Sequence, residues 1–168
     1  SKGSIVPFIA NDDINPAAVA LGILMADAAF LPIDPAWPSS VREAALDDVG
    51  ASILIEQDGA SVALRPRGQE VGRKKSEALT GEAAVYVIFT SGSTARPKAV
   101  AIAQRGLLNR FAWMTSFFGD EMPNTLQTTP LAFDSAVWQV LWPLTRGGTC
   151  VLPERHELFD VEALATLV

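Results

Sequence analysis

The chain has 168 residues, of which 49% are hydrophobic and 19% are charged, so its composition excludes a disordered protein and fits one globular domain. The formal net charge of −6 argues against a nucleic-acid-binding surface, which needs a basic excess. No apolar run reaches the roughly 20 residues of a membrane span. The single cysteine, Cys150, excludes an internal disulfide and favours a reducing, cytoplasmic location.

Both ends of the sequence suggest a longer protein. Position 1 is serine rather than methionine, and the last residues, FDVEALATLV, have the pattern of a helix that is still running. We therefore expect residues 1–168 to be a partial domain, truncated at both ends.

The first fifty residues predict a strand and two helices. SIVPFIA predicts the strand, and NPAAVALGILMADAAF predicts a helix with Asn15 as its N-cap and Pro16 at its first position. The three prolines of LPIDPAWPSS then predict an extended loop. Ser40 is the expected cap of the next helix, VREAALDDVG, which Gly50 ends.

The rest of the chain continues the alternation of strands and helices. AAVYVIFT predicts a strand covered on both faces, because its β-branched and aromatic residues do not alternate with polar ones. We expect the helix of DSAVWQVLWPLTRGG to end near Trp142, because Pro143 cannot continue the hydrogen-bond ladder. The other predicted strands are ASILIEQ, SVALR, KAVAIAQ, NTLQTT and GTCVLP, and the other predicted helices are GLLNRFAWMTSFF and the C-terminal segment. This order predicts an α/β fold with a largely parallel sheet flanked by helices.

A cluster of small polar residues follows the AAVYVIFT strand, at the type of strand exit where open α/β sheets bind ligands. Its members are Thr90, Ser91, Gly92, Ser93 and Thr94, with Lys98 four residues later. Small residues let backbone N–H groups converge on an anion, and a lysine suits phosphate. The spacing of the glycine-lysine phosphate loop is absent. Composition alone leaves two interpretations open: a triphosphate-binding loop, or a hairpin turn without a ligand.

Three segments, in order, resemble one family. FTSGSTARPKAV is similar to the phosphate-loop pattern [YF]-T-S-G-[ST]-T-G-x-P-K-G-V of adenylate-forming enzymes. MADAAFLPIDPAWPSSVR resembles K-A-G-x-A-[YF]-[LV]-P-[IL]-D-P-x-x-P-x-x-R, and LAFDSAVWQVLWPLTRGGTCVL resembles F-D-x-S-V-W-E-x-[FL]-x-P-L-x-x-G. On these segments the chain is identified as a member of the amino-acid adenylation domains of nonribosomal peptide synthetases. The resemblance covers essentially the whole chain and places it in the large N-terminal subdomain.

The resemblance implies a two-step activity. An amino acid and Mg²⁺-bound ATP give an aminoacyl adenylate, and the acyl group then passes to the phosphopantetheine thiol of a carrier protein. Thr90 to Thr94 and Lys98 would bind the ATP phosphates. The Mg²⁺ ligands and the catalytic lysine of the family match no segment of this chain, so no catalytic residue or metal ligand is assigned in it.

The resemblance also implies a substrate site at the start of the Asp134 helix. Asp134 would pair with the α-ammonium group of the amino acid, while Ser135 and Trp138 would line the side-chain pocket. On the sequence alone, Asp134 has a helix-capping alternative and Trp138 has a core-packing alternative.

Five positions depart from the family pattern. Ala95 and Ala99 replace glycines, and at a positive φ alanine would cost on the order of 1 kcal/mol. Asp27 also stands in place of glycine, Gln104 in place of a common histidine, and Gln139 in place of glutamate. Two alternatives remain open: a coenzyme A ligase for acyl or aryl acids of the same superfamily, and a degenerate, non-catalytic relic. Asp134 argues against the first.

Overall fold

The structure, a computed structural model, describes residues 4–10, 15–58, 61–67, 83–90, 97–119, 121–153 and 160–167. The chain divides into two compact units, Ser1–Gly106 and Leu107–Val168, and each is described by itself. Within the described residues, every helix is too short or too polar to cross a membrane.

The first unit is built on a six-stranded sheet of order β4-β3-β1-β2-β5-β6. Strands β3, β1, β2 and β5 run parallel, and antiparallel β4 and β6 close the two edges. The predicted α/β fold with a largely parallel sheet is therefore confirmed. The strands are β1 (Ile5–Ile9), β2 (Ala29–Ile33), β3 (Ile53–Asp58), β4 (Ser61–Pro66), β5 (Ala84–Thr90) and β6 (Lys98–Ala103).

Helix α1 (Pro16–Met25) begins as the sequence predicts, since the Ala18 N–H donates to Asn15 Oδ1 over 3.1 Å. Its predicted end at Phe30 is wrong, because the chain leaves the helix at Asp27, whose φ is 57°. The N–H groups of Asp27 and Ala28 donate back to the carbonyls of Leu24 and Ile23, over 3.0 and 3.2 Å. This is a Schellman motif with aspartate in its left-handed position.

The end of α1 at Met25 frees the following residues to form β2. All five residues of β2 are buried, and the strand pairs with β1 and β5. The predicted loop therefore starts three residues too early, since Leu31, Pro32 and Ile33 belong to this central strand.

Helix α2 (Ser39–Asp48) starts one residue before Ser40, and no side chain caps it, so the predicted Ser40 cap is wrong. The predicted stop at Gly50 is confirmed by its φ of 63°, and the Ala51 N–H donates to the Leu46 carbonyl over 3.0 Å. Leu46 of this helix packs into a hydrophobic core with residues of the sheet. The buried residues of this core are Ile9, Leu31, Ile33, Leu46, Leu54 and Val87.

The second unit contains a parallel pair of strands joined by a helix. Its elements are α3 (Gln104–Phe118, which begins in the first unit), β7 (Asn124–Leu126), α4 (Asp134–Thr145), β8 (Thr149–Val151) and α5 (Val161–Thr166). Strand β7 pairs in parallel with β8, and α4 is the crossover between them.

The predicted end of α4 at Trp142 is wrong, because the helix continues through Pro143 to Thr145. Pro143 has no N–H to donate to the carbonyl of Gln139, four residues earlier. The Thr125 hydroxyl of β7 donates to that carbonyl instead. The proline is tolerated because a side chain replaces the missing backbone donor.

Candidate functional site

Thr90 and Lys98, the first and last residues of the proposed phosphate loop, lie opposite each other on the neighbouring strands β5 and β6. Thr90, the last residue of β5, pairs with Lys98, the first residue of antiparallel β6. Because β5 runs parallel to β2, and β2 runs parallel to β1, Thr90 lies at the end of the sheet where β1 and β2 also end. Both side chains are exposed. The predicted phosphate ligands Ser91, Gly92, Ser93 and Thr94 lie outside the described residues.

The alanine at position 99 causes no backbone strain. Ala99 is a residue of β6 and pairs with Phe89. Among the described non-glycine residues only Asp27 has a positive φ, so Ala99 does not occupy that conformation. The glycine that the family carries at position 99 is therefore not required by the backbone of this chain. Ala95, the other replaced glycine, lies outside the described residues.

Asp134 is the first helical residue of α4 rather than its cap. Phe133 occupies the N-cap position with φ −110° and ψ 146°, and no side chain makes a capping hydrogen bond. The helix-capping interpretation of Asp134 is therefore wrong. Its carboxylate is exposed and, within the described part of the chain, no donor or cation binds it. The unpaired N–H groups of the first turn favour negative charge at this position.

Ser135 and Trp138 accompany Asp134 on the less buried side of α4. Trp138 lies about one helical turn after both residues, four positions after Asp134 and three positions after Ser135. Ser135 and Trp138 are half-buried, whereas the opposite side of the helix is buried, through Ala136, Val137, Val140 and Leu141. The structure thus brings the three predicted substrate-site residues together at the start of one helix.

Trp142, one helical turn after Trp138, has a different environment. Trp142 is buried, its Nε1–H donates to Thr115 Oγ1 over 3.3 Å, and its ring centroid lies 5.8 Å from that of Phe118. Trp142 is therefore a core residue, whereas Trp138 is half-buried and has exposed surface that a ligand could contact.

Several other polar residues have local structural roles. Asp34 Oδ1 accepts from the Ala36 N–H over 2.8 Å and so stabilises a turn. Arg67 binds the carboxylates of Glu43 and Asp47 at 2.7 and 2.8 Å. Among the described residues, no group of three or more histidine, cysteine or acidic side chains is arranged to hold a metal ion.

Burial raises the pKa of the Cys150 thiol above its ordinary value. Gln104 opens α3, and its N–H donates to the Ala83 carbonyl over 3.1 Å. His156 lies outside the described residues.

Sequence analysis did not identify the contacts of Thr125 and Gly148. The signal for Thr125 was Pro143 within an otherwise helical pattern, because such a proline leaves an unpaired carbonyl that needs another donor. The signal for Gly148 was the glycine pair at the end of α4, where one glycine ends the helix with φ 73° and the next meets the backbone of Pro123.

A family model described as AMP-binding enzyme matches residues 1–168. The chain is 31% identical over 183 residues to zwittermicin A synthase ZmaJ of Bacillus cereus, which covers 97% of this chain and 34% of that protein. It is 32% identical over 172 residues to tyrocidine synthase 3 of Brevibacillus parabrevis, which covers 93% of this chain and 3% of that protein.

Solved structures agree with the sequence relatives. The nonribosomal peptide synthetase FmoA3 in its AMPPNP-bound form superposes with a TM-score of 0.73 at 26% identity, over 100% of this chain and 19% of that one. The four-domain nonribosomal peptide synthetase AB3403, bound to AMP and glycine, gives 0.73 at 27% identity, over 99% of this chain and 13% of that one. The chain thus spans about a third or less of the proteins that it matches here. It belongs to the AMP-binding enzyme family and corresponds to part of the adenylation domain of an adenylate-forming enzyme.

Proposed function

We propose that the chain is part of an enzyme that activates an amino acid. The enzyme would form an aminoacyl adenylate from ATP and then load the acyl group onto the phosphopantetheine thiol of a carrier protein. The names of the relatives support this proposal, since they include peptide synthetases and a structure bound to AMP and glycine.

The position of Asp134 is the observation that carries the proposal. An exposed carboxylate at the first residue of α4, with Ser135 and Trp138 on the same side, suits a ligand that has a positive group next to a side chain. An acid without the amine would leave the carboxylate unpaired once the site closes around it, which is how such a site rejects the wrong substrate.

The nucleotide would bind at the carboxyl edge of the six-stranded sheet. The exposed ammonium group of Lys98 and the hydroxyl of Thr90 suit a phosphate, and the β5–β6 pairing holds these two residues opposite each other. The proposal adds Ser91, Gly92, Ser93 and Thr94 as further phosphate ligands. Mg²⁺ would accompany ATP and neutralise phosphate charge, and we assign it no ligand in this chain.

Amino-acid-dependent exchange between pyrophosphate and ATP tests the proposal in the protein that contains this chain. A panel of amino acids should include at least one that supports exchange. The variant Asp134→Asn should lower kcat/KM for that amino acid about 10- to 100-fold, which corresponds to the loss of a hydrogen bond between charged groups. The variant Lys98→Ala should instead raise the KM for ATP, because it removes a cation that binds phosphate.

The matched control is Glu162→Gln, which neutralises an exposed carboxylate in the first turn of another helix, α5. This variant should exchange at the wild-type rate. Exchange that depends on an acid without an α-amine, with Asp134→Asn fully active, would favour a coenzyme A ligase. Absence of exchange with every acid tested would favour the degenerate, non-catalytic relic. Ala99 no longer supports that alternative, because it causes no backbone strain.

A further inference from the structure

We propose that Gln139 is a positioning residue, whose buried side-chain amide holds residues 127–129 against α4 and so fixes the start of the helix at Asp134. The inference rests on the proposed function, in which Asp134 binds the substrate ammonium group. In this role Gln139 touches no substrate and acts through the backbone that leads to Asp134.

Among the residues that the structure describes, Gln139 is the one polar residue that is buried, with 8% of its surface exposed. Its neighbours along the helix are apolar, since α4 buries Ala136, Val137, Val140 and Leu141. A side-chain amide in such a place costs free energy unless its donor and acceptor are paired. The partners of this amide therefore indicate why a polar residue stands there.

Both ends of the amide bind the segment that precedes α4. Gln139 Oε1 accepts from the Thr129 N–H over 3.3 Å, and Gln139 Nε2 donates to Thr128 Oγ1 over 3.4 Å. A third contact stiffens the segment, as Gln127 Nε2 donates to the Thr129 carbonyl over 3.1 Å. The main-chain carbonyl of Gln139 also accepts from Thr125 of β7, so Gln139 contacts the segment at two positions and the strand before it at a third.

A short turn transmits this position to Asp134. Pro130 follows Thr129 directly, and its carbonyl accepts from the Phe133 N–H over 3.0 Å. Phe133 is in turn the N-cap of α4. Thr129 is thus tied to Gln139 on one side and to the first turn of the helix on the other. Loss of the tie would free the backbone before Asp134, and displacements of about 1 Å are enough to weaken a binding or catalytic arrangement.

Two substitutions separate the hydrogen bonds from the volume of the side chain. Gln139→Met keeps the length and fills the space but makes neither bond. Gln139→Glu keeps both, because a carboxylate accepts from the Thr129 N–H and from the Thr128 hydroxyl, which can turn to donate. The family pattern itself carries glutamate at this position.

The first measurement is the split between substrates in pyrophosphate exchange by the protein that contains this chain. Gln139→Met should raise the KM for the amino acid about tenfold and change the KM for ATP less than about twofold, while Gln139→Glu restores the wild-type values within about threefold. The control is Ile23→Val in α1, which lowers the melting temperature through a buried residue of the first unit. It should leave both KM values unchanged.

The second measurement does not depend on activity. Hydrogen exchange at the Thr129 and Phe133 amides should accelerate about tenfold or more in Gln139→Met and stay at the wild-type rate in Gln139→Glu. Unchanged exchange at both amides would overturn the inference, as would an equal rise of both KM values. A wild-type protein without amino-acid-dependent activity would refute the proposed function, and amide exchange would then decide alone whether Gln139 holds the segment.

Discussion

Asp27 is a single residue whose backbone conformation has a measurable cost. Among the described residues, four helices, α1, α2, α3 and α4, are followed by a residue of positive φ, at Asp27, Gly50, Gly119 and Gly147. Glycine adopts this conformation without strain, and aspartate tolerates it better than most other residues. The family glycine at position 27 is thus explained by the Schellman motif that ends α1.

The comparison of Asp27→Gly with Asp27→Ala isolates the backbone term, because both substitutions remove the carboxylate. We expect the alanine variant to have a free energy of unfolding about 1 kcal/mol lower than the glycine variant, because only alanine carries a Cβ at positive φ. Urea denaturation of both variants measures the difference. Equal midpoints would show that position 27 relaxes out of the left-handed region.

Gly148 is required for a different reason, which is close approach of two backbone segments. A Cβ built on Gly148 would lie 1.9 Å from the carbonyl oxygen of Pro123, a distance that no rotamer change can relieve. Gly148→Ala should therefore lower the free energy of unfolding by about 1–3 kcal/mol or more, as expected for overpacking.

Gly22→Ala is the matched control for this substitution. Gly22 lies inside α1, and a Cβ built there meets no other atom within 4 Å. Alanine should raise stability there by about 0.5–1 kcal/mol, since glycine in a helix interior is unfavourable. Thermal unfolding of the two variants should thus give shifts of opposite sign, and a Gly148→Ala protein as stable as the wild type would contradict the predicted clash.

At the scale of elements, α4 depends on a donor from β7. The carbonyl of Gln139 has no backbone partner because Pro143 lacks an N–H, and the Thr125 hydroxyl supplies the hydrogen bond. Thr125→Val keeps the shape of the side chain and removes the donor, so it should cost about 1–3 kcal/mol of stability by leaving a buried carbonyl unpaired. Thr125→Ser, which keeps a hydroxyl, should cost less.

Chemical denaturation compares these two variants. Equal stability of the valine and serine variants would mean that the Gln139 carbonyl finds another partner.

The helix ends also show how far local sequence patterns extend. The start of α1 at Asn15 and the stop of α2 at Gly50 were predictable, because each depends on one residue whose chemistry acts within a single turn. The end of α1 at Met25 and the continuation of α4 past Pro143 were not. The first depends on aspartate in a position usually given to glycine, and the second on a hydroxyl 18 residues earlier in the sequence, which only the folded chain brings near.

The candidate site was predictable for the same kind of reason and to a similar extent. The motif residues Asp134, Ser135 and Trp138 lie within five residues of one helix, so their common side follows from helical periodicity. The role of Gln139 was not predictable, because its partners Thr128 and Thr129 lie in a segment that sequence analysis interpreted as a strand. That prediction was correct only for its first three residues, which form β7.

At the scale of the whole molecule, the two sets of proposed ligand-binding residues lie in different units. Thr90 and Lys98 belong to Ser1–Gly106, and Asp134, Ser135 and Trp138 belong to Leu107–Val168. The chain also spans 34% of ZmaJ and 19% of FmoA3, so the matched proteins contain much that has no counterpart in it. Phosphoryl transfer depends on positioning and on neutralisation of charge by several groups at once.

We therefore predict that residues 1–168 alone form no aminoacyl adenylate. Purified chain, incubated with ATP, Mg²⁺, labelled pyrophosphate and each amino acid of the panel, should give no exchange above the no-enzyme background. The longer protein should give exchange with at least one amino acid under the same conditions, because the groups that neutralise the transferred phosphate would then be present. Circular dichroism of the same sample checks that an inactive chain is folded. Exchange by the folded 168-residue chain would show that residues 1–168 suffice for the chemistry.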